Sequence, residues 1–510
     1  MSQRTDSVAG RSFAQAEALL HALELPYPRL APPLELQLVA VPAGPHVGGG
    51  GVGPSPTRRY RPLTAPTTHV KRSPVLTKGP TVTEALVQLA EGSTTTRDLV
   101  ESALDVAAST TDLGTVVALD ERAVRNEADL LDAERAAGHL RGRLHGIPVT
   151  VKDIIDVRGL PTRAGSLAYD DPSPGDAASV ARLREAGALL LAKVATHEFA
   201  LGVATPQCRN PHDPTRISGG SSGGSAIAVA TGFGLASLGS DTRASLRVPA
   251  HCCGVVGFKP TFGRAPASGI VPLSWTIDHI GPIARTVEDA ALLIDVLADQ
   301  PFLELSGSTV GSAVVIGVAP EIFADAEPDV VAACEAALST LEQLGYRVVE
   351  LAGPTTEDLE ISNALGLLVS RSEAASFHRG QGTDLQRCIP EVRDQLAAGL
   401  TITAADYLDA QRQRQRLVEK TLGYFGECDV IATPTAPLVA PARADYERYL
   451  LRLSRNTIIW SLAGAPALSM PCGASADGIP IGLQLASPPG REQDLVAVGM
   501  SLERALASQP

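Results

Sequence analysis

Short apolar strands alternate with amphipathic helices along most of this 510-residue chain, and this alternation constrains the fold more than any other feature. The clearest unit consists of a strand, AVVIGVAP (313–320), a helix, DVVAACEAALSTLEQLG (329–345), and a second strand, YRVVEL (346–351). Helices that connect successive strands are typical of a sheet covered by helices. The pattern predicts an α/β fold in which a central mixed, twisted β-sheet is flanked by helices on both faces.

The first 75 residues lack this alternation. Residues 41–80 are rich in glycine, proline and threonine and include GGGGVGP (48–54). Because such a composition is typical of a linker, residues 1–75 are predicted to be an N-terminal extension that is partly low-complexity.

Two helices are predicted next, with Thr81 and either Thr95 or Thr96 as N-caps and Gly92 between them.

Charge and cysteine usage narrow the functional classes. The formal net charge of −13 argues against a nucleic-acid backbone as the main partner. The seven cysteines include no C-x-x-C pair, so neither a disulfide framework nor a zinc site is indicated. The N-terminus has no apolar leader, and no apolar run is long enough to span a membrane. A cytoplasmic protein with no membrane partner is therefore expected.

A glycine-serine stretch, RISGGSSGGSAIAVATG (216–232), permits three interpretations from its residues alone. Residues 219–223 match G-x-S-x-G, the strand-to-helix turn of α/β-hydrolases, but RNPHDPTRIS (209–218) before them is a proline-containing loop instead of a strand. A phosphate-binding loop is the second interpretation, although no Gly-Lys-Ser/Thr follows. The third is a flexible turn whose serines cap a helix.

Two further segments change this interpretation. LHGIPVTVKDIID (144–156) contains a β-branched run that ends in Lys152, and LGSDTRASLRVPAHCCGVVGFKPT (238–261) carries a second serine-containing turn. Together with the glycine-serine stretch, in this order, these segments closely resemble the amidase signature family. The resemblance covers roughly residues 80–505 and implies that 76–510 form a single large catalytic domain.

The resemblance implies a catalytic triad without histidine. Ser245 would be the acylated nucleophile, Lys152 the terminal base, and Ser221 the hydroxyl that relays the proton between them. A lysine can act as a base if burial lowers its pKa enough to leave it neutral near pH 7. The family also implies a cis peptide bond between Gly220 and Ser221, where glycine keeps the steric cost low.

The remaining site residues are also implied by the resemblance. Backbone N–H groups are expected to form the oxyanion hole. Ser222 and Ser225 are expected to hold the loop by hydrogen bonds, and Asp241 and Arg247 are expected to brace the nucleophile turn. The oxyanion residues are Thr242, Arg243, Ala244 and Ser245; the supporting residues are Ser222, Ser225, Asp241 and Arg247. His251 beside two cysteines is expected to pack in the core, and neither a metal nor an organic cofactor is expected.

The chain departs from the family pattern just before the nucleophile. The family usually has two glycines there, whereas this sequence has Arg243 and Ala244. Glycines at these positions permit positive φ angles and a close approach of the substrate. The Arg243 side chain is open to two interpretations: it lines the pocket and favours an anionic or carbonyl-rich substrate, or it points to solvent.

The resulting functional hypothesis is an amidase that converts a small-molecule amide into an acid and ammonia or an amine. Three alternatives remain open. They are the glutamine-hydrolysing subunit of a tRNA-dependent amidotransferase, a hydrolase of urea-like or carbamate compounds, and a catalytically inert scaffold of the same fold. The particular amide and the role of residues 1–75 are undetermined at this level, and a homodimer is left open.

Overall fold

Eleven strands of the described residues form one mixed sheet, which confirms the predicted fold class. The computed structural model describes residues 58–62, 76, 79–169, 173–299 and 314–508. In space the strands follow the order β1-β3-β2-β4-β6-β5-β10-β11-β9-β7-β8. They are β1 Val116–Ala118, β2 Pro148–Lys152, β3 Leu189–Val194, β4 Ala236–Asp241, β5 Val256–Lys259, β6 His279–Ala284, β7 Val315–Val318, β8 Arg347–Glu350, β9 Val430–Pro434, β10 Ala467–Ala474 and β11 Pro480–Ala486.

Helices connect and cover these strands. They are α1 Val82–Glu91, α2 Thr96–Ser109, α3 Glu121–Ala136, α4 Ala178–Glu185, α5 Gly223–Thr231, α6 Arg247–Cys253, α7 Val287–Leu297, α8 Pro320–Ala324, α9 Pro328–Gln343, α10 Thr356–Gly380, α11 Pro390–Gly399, α12 Ala404–Gly423, α13 Leu450–Leu462 and α14 Glu492–Ser508. No helix in the described part of the chain combines the length and the apolar character needed to cross a bilayer.

The predicted helix ends after residue 80 are confirmed. The Thr81 hydroxyl accepts a hydrogen bond from the N–H of Glu84, whose carboxylate accepts from the N–H of Thr81. Thr95 forms the same reciprocal pair with Asp98 at the start of α2. Gly92 ends α1 with a φ of 71°, a left-handed conformation that glycine adopts without steric cost.

Part of the predicted linker packs on the sheet. The N–H of Glu350 in β8 donates to the carbonyl of Arg58 at 2.9 Å, and Arg59 forms an isolated antiparallel bridge with Val349 of that strand. Tyr60 is buried, its ring centroid lies 6.2 Å from that of Phe323, and its hydroxyl donates to Glu335 at 3.2 Å. The rest of the predicted extension, residues 1–57 and 63–75, lies outside the described residues.

Parallel pairing brings two strand ends together. β2 pairs in parallel with both β3 and β4, so the carboxyl ends of all three strands lie at the same edge of the sheet. Lys152 ends β2, and Asp241 ends β4 just before the second serine-containing turn. Because ligand sites in α/β sheets form beyond the carboxyl ends of parallel strands, this edge is where a site is expected.

A helical layer covers part of the molecule next to that edge. Buried apolar residues from α10, α12 and α13 meet in one cluster, which includes Leu365, Leu417 and Ile458. Larger clusters pack α1, α4 and α7 against β2 and pack α9 and α14 against β7, β9, β10 and β11. These cores hold the strands rigid and leave the loops after β3 and β4 to build the site.

Candidate active site

Lys152 places a buried amine beside two serine hydroxyls. Its side chain is completely buried, and its Nζ donates to Oγ of Ser221 at 2.7 Å and to Oγ of Ser240 at 2.8 Å. Burial lowers the pKa of Lys152 to about 7, although the carboxylates of Asp241 and Asp278 act to raise it. The amine is therefore close to half-deprotonated at neutral pH, which suits a proton acceptor.

Ser221 lies in a tightly held loop. The Gly220–Ser221 peptide bond is cis, as the resemblance implies. The Ser221 carbonyl accepts from the N–H of His197 at 3.1 Å and from the Thr205 hydroxyl at 3.2 Å. A Cβ at position 220 would lie 2.2 Å from the carbonyl oxygen of Ala204, so only glycine fits there. These contacts fix the Ser221 hydroxyl against Lys152.

Ser245 lies at the wall of a cavity. Its side chain lines a small inner chamber of about 20 Å³, and only 4% of the residue is exposed. Its carbonyl accepts from the N–H of Ser222 at 3.3 Å, which connects the two serine-containing segments. Across the described residues no hydrogen bond joins the hydroxyls of Ser245 and Ser221. The structure thus brings Lys152 and Ser221 into direct contact and places Ser245 in the adjacent turn.

The turn that contains Ser245 offers unused donors. None of its four backbone N–H groups, from Thr242 to Ser245, has a hydrogen-bond acceptor among the residues that the structure describes. Thr242, Ala244 and Ser245 are all buried. Buried N–H groups are normally paired, so a run of free donors beside a cavity is an arrangement that could accept an oxyanion.

A buried ion pair holds this turn. Arg247 donates from Nε to Oδ2 of Asp241 and from Nη2 to Oδ1, both at 2.9 Å, and both side chains are completely buried. The Asp241 carboxylate also accepts from the N–H of Leu246 at 3.1 Å. Burial acts to raise the pKa of Asp241, but the Arg247 guanidinium outweighs it and holds that pKa at about 2. The pair therefore stays ionised and fixes the ends of the turn.

Sequence reasoning missed two residues of the site, Ser240 and Asp278. Oδ1 of Asp278 accepts from the Thr242 hydroxyl at 2.5 Å, and Oδ2 accepts from the N–H groups of Leu273 and Ser274 at 3.0 and 2.9 Å. Burial raises the pKa of Asp278 to about 6. Ser240 directly precedes Asp241 in the GSDT segment, which was the only available signal for it.

One expectation about the supporting serines is corrected. The Ser225 hydroxyl is buried without a hydrogen-bond partner among the described residues, so it does not hold the loop by a hydrogen bond. Its place in the first turn of α5, inside the apolar cluster around Ile227, explains the difference. Ser222 does form such a bond, since its hydroxyl donates to the carbonyl of Ser240 at 3.2 Å.

His251 has no ring nitrogen free for a metal. Its Nε2 lies 3.0 Å from the carbonyl of Leu438, and its Nδ1 accepts from the N–H of Gly482 at 2.9 Å. Burial lowers the pKa of His251 to about 4, so the ring is neutral. The expectation that His251 packs in the core is confirmed.

The inner chamber opens beside a larger outer chamber of about 210 Å³. Both chambers are lined by Arg243, Gln395 and the loop 201–203. Helix α10 contributes Leu367 and Arg371 to the outer wall, and the start of α13 contributes Leu450. The alternative that placed the Arg243 side chain in solvent is wrong, because its Nε is buried and its Nη2 donates to the Ser454 hydroxyl at 3.1 Å.

Three comparisons find amidases among the proteins to which this chain is similar. A family model described as Amidase matches residues 98–496. An amidase of Pseudomonas putida is 37% identical over 74% of this chain and 87% of its own length. A glutamyl-tRNA(Gln) amidotransferase subunit from Roseiflexus castenholzii is 36% identical over 83% of this chain and 95% of its own length. A crystal structure of an amidase superposes with a TM-score of 0.78 at 38% identity and covers 83% of this chain and 99% of that chain.

Proposed function

The chain belongs to the amidase family, and we propose that it hydrolyses the C–N bond of a linear, non-peptide carboxylic amide to the acid and ammonia or an amine. The observation that carries the proposal is the 2.7 Å contact between the buried Lys152 amine and the Ser221 hydroxyl, beside a cavity lined by Ser245. We assign Ser245 as nucleophile, Ser221 as relay and Lys152 as base.

In the acylation step, neutral Lys152 takes the proton of Ser221 as Ser221 takes the proton of Ser245. The Ser245 oxygen attacks the amide carbonyl carbon, and the carbonyl oxygen becomes an oxyanion on the N–H groups of residues 242–245. The proton then returns through Ser221 to the amide nitrogen, the C–N bond breaks, and the amine leaves. An ester between the acyl group and Ser245 remains.

In the deacylation step, a water molecule replaces the amine. It gives its proton to the same relay and attacks the ester carbonyl. The carboxylic acid leaves, and Ser245 regains its proton. Nucleophile, base, acid and oxyanion donors are all supplied by residues of this chain. Removing one oxyanion donor typically costs about 10²–10³ in rate.

Labelling with a fluorophosphonate, followed by mass spectrometry of the modified peptide, tests the proposal. The expected result is one adduct on Ser245, which is lost in Ser245→Ala and strongly slowed in Lys152→Ala. Ser237→Ala is the matched control, because Ser237 is a buried serine of β4 whose hydroxyl donates to the carbonyl of Thr150 at 3.3 Å, and not to a residue assigned to the triad. Folded protein that is not labelled at Ser245 would contradict the proposal and favour an inert scaffold.

A second candidate is favoured by the relatives. The Roseiflexus castenholzii protein, which this chain matches over 95% of that protein's length, is named as part of an amidotransferase. For this chain such a role would mean hydrolysis of free glutamine by the same three residues, in a complex with other proteins. Ammonia release from glutamine only in the presence of charged tRNA and those partner proteins would favour this candidate. Ammonia release from amides by the chain alone would favour the amidase.

A further inference from the structure

Arg243 brings a positive charge to the cavity wall without a counterion. It stands two residues before Ser245, and its side chain lines both chambers. Nη2 donates to the Ser454 hydroxyl at 3.1 Å, whereas Nε is buried without a partner among the described residues. No carboxylate of the described chain forms an ion pair with this guanidinium. Buried charges are normally paired, so the group lacks an anion.

The position of Arg243 is fixed from its backbone. Its carbonyl accepts from the Thr457 hydroxyl at 2.8 Å and from Nη2 of Arg247 at 3.3 Å. Burial, and then the nearby charge of Arg371, lower the pKa of Arg243 to about 10. The guanidinium therefore remains charged at neutral pH, and its surroundings disfavour that charge. An anion bound against the guanidinium would offset both the cost of its burial and the repulsion from Arg371.

Acidic side chains occupy a different part of the cavity. The inner chamber has no carboxylate in its wall; its polar side chains are Arg243, Ser245, Ser370 and Gln395. The outer chamber is lined by Arg371 together with Glu391, Asp394 and Glu447. Oε2 of Glu391 lies 3.5 Å from Nε2 of His197. The neighbouring guanidiniums of Arg243 and Arg371 therefore attract a negative group, and only the outer chamber contains carboxylates that would repel it.

We propose that the amide substrate also bears a carboxylate, which the Arg243 guanidinium binds where the two chambers meet. The inference deepens the proposed function and rests on it. A guanidinium presents planar donors that match the two oxygens of a carboxylate. Because the N–H of the same residue belongs to the proposed oxyanion hole, Arg243 holds both ends of such a substrate. The carboxylate must then lie only a few bonds from the scissile carbonyl.

Matched pairs of amides test this inference. With the carboxylate on the acyl side, succinamate is compared with 4-methylpentanamide, in which an isopropyl group of similar shape replaces the carboxylate. With the carboxylate on the amine side, N-acetylglycine is compared with N-isobutylacetamide. The measured quantity is the ratio of kcat/KM for the anionic member to kcat/KM for the neutral member. Any change in the oxyanion hole affects both members, so the ratio isolates the side chain.

We expect the wild type to prefer the anionic member of at least one pair, and Arg243→Met to lower that ratio about 10- to 100-fold, the range for a hydrogen bond to a charged group. Arg243→Lys should retain part of the preference, because it keeps the charge but loses the planar donors. Arg412→Met is the control, since it removes one positive charge from a side chain that is 71% exposed and does not line the cavity.

The outcomes separate the two proposals. Hydrolysis of neutral amides with an unchanged ratio in Arg243→Met would overturn the carboxylate inference and leave the amidase assignment intact. If no amide is hydrolysed and Ser245 is not labelled, the proposed function itself is overturned. Which of the two pairs shows the preference identifies the side of the scissile bond that bears the carboxylate.

Discussion

The Nζ of Lys152 lies 2.7 Å from the Oγ of Ser221, although 69 residues separate them in the chain. Lys152 ends a strand and Ser221 follows a cis peptide bond in a loop, so two independent backbone features meet in this contact. Around the amine, burial disfavours a positive charge while Asp241 and Asp278 favour it. The balance leaves a lysine that can exchange a proton near neutral pH, and the following predictions test that balance and the packing around it.

The pH dependence of hydrolysis should follow the titration of Lys152. The base must be neutral, and its pKa is lowered to about 7, so kcat/KM should be constant above that value. Below pH 7 the amine is protonated, and the rate should fall about tenfold per pH unit. A kcat/KM profile between pH 5 and 11 on a neutral amide measures this. A flat profile through pH 7, or a limb near the ordinary lysine pKa of 10.5, would contradict the assignment of Lys152 as base.

In the Asp278→Asn variant, the fall in kcat/KM on the acidic side of the pH profile should begin at a lower pH. The Asp278 charge raises the pKa of Lys152, so its removal should lower that pKa. The pH profile of kcat/KM on a neutral amide measures this change. Asp409→Asn is the control, because that carboxylate is 49% exposed and pairs with Arg412 at the surface. If kcat/KM of Asp278→Asn instead begins to fall at a higher pH than in the wild type, the charge of Asp278 does not act on Lys152 as described.

Lys152→Met should abolish hydrolysis yet stabilise the fold. The pKa of Lys152 is lowered in the folded state, so the unfolded chain binds the proton more readily, and the free energy of unfolding decreases as pH falls from about 10.5 towards 7. Methionine carries no proton and escapes this penalty. Urea unfolding at pH 7 should show a gain of about 1–3 kcal/mol, the scale for replacing buried charges by apolar groups. The gain should shrink at pH 9; a gain independent of pH would argue against the lowered pKa.

Arg247→Met should destabilise the protein strongly. The variant leaves the Asp241 carboxylate buried without its partner, which typically costs about 3–5 kcal/mol. Urea unfolding gives the value, and the double variant Asp241→Asn/Arg247→Met should recover part of the loss because neither charge then remains. In the wild type, the pKa of Asp241 is lowered to about 2. The pair's contribution is therefore present above the ordinary aspartate pKa of 3.8 and disappears as the pH falls towards 2.

Tyr60→Ala should destabilise the fold, although Tyr60 lies in the predicted N-terminal extension. Its ring is buried against Phe323 in the cluster that contains β7 and α9, and loss of a buried aromatic side chain costs about 3 kcal/mol or more. Thermal or urea unfolding measures the change. Tyr60→Phe keeps the ring and removes only the hydrogen bond to Glu335, so it should cost about 1 kcal/mol. Equal stability of Tyr60→Ala and wild type would show that residues 58–62 do not contribute to the core.

The sequence predicted the parts of the fold that local patterns encode. Strand β2 carries the β-branched run that ends in Lys152, and the helix predicted over residues 329–345 corresponds to α9, Pro328–Gln343, so both lie within a few residues of their predicted ends. Helix α10 was missed. Its buried residues include Leu359, Leu367 and Val369, which lie on several of its sides because α11, α12 and α13 pack around it, so no single apolar stripe marks it.

The order and spacing of the lysine and serine segments along the sequence were enough to indicate the family and to predict the site. Only the tertiary structure decided the electrostatics of that site. A pKa depends on what surrounds a group in three dimensions. Lys152 owes its lowered pKa to complete burial, which outweighs the opposing charge of Asp278, a residue that lies 126 positions away in the chain. The direction of the Arg243 side chain was decided in the same way, since whether an arginine faces solvent or a cavity depends on the helices packed around it.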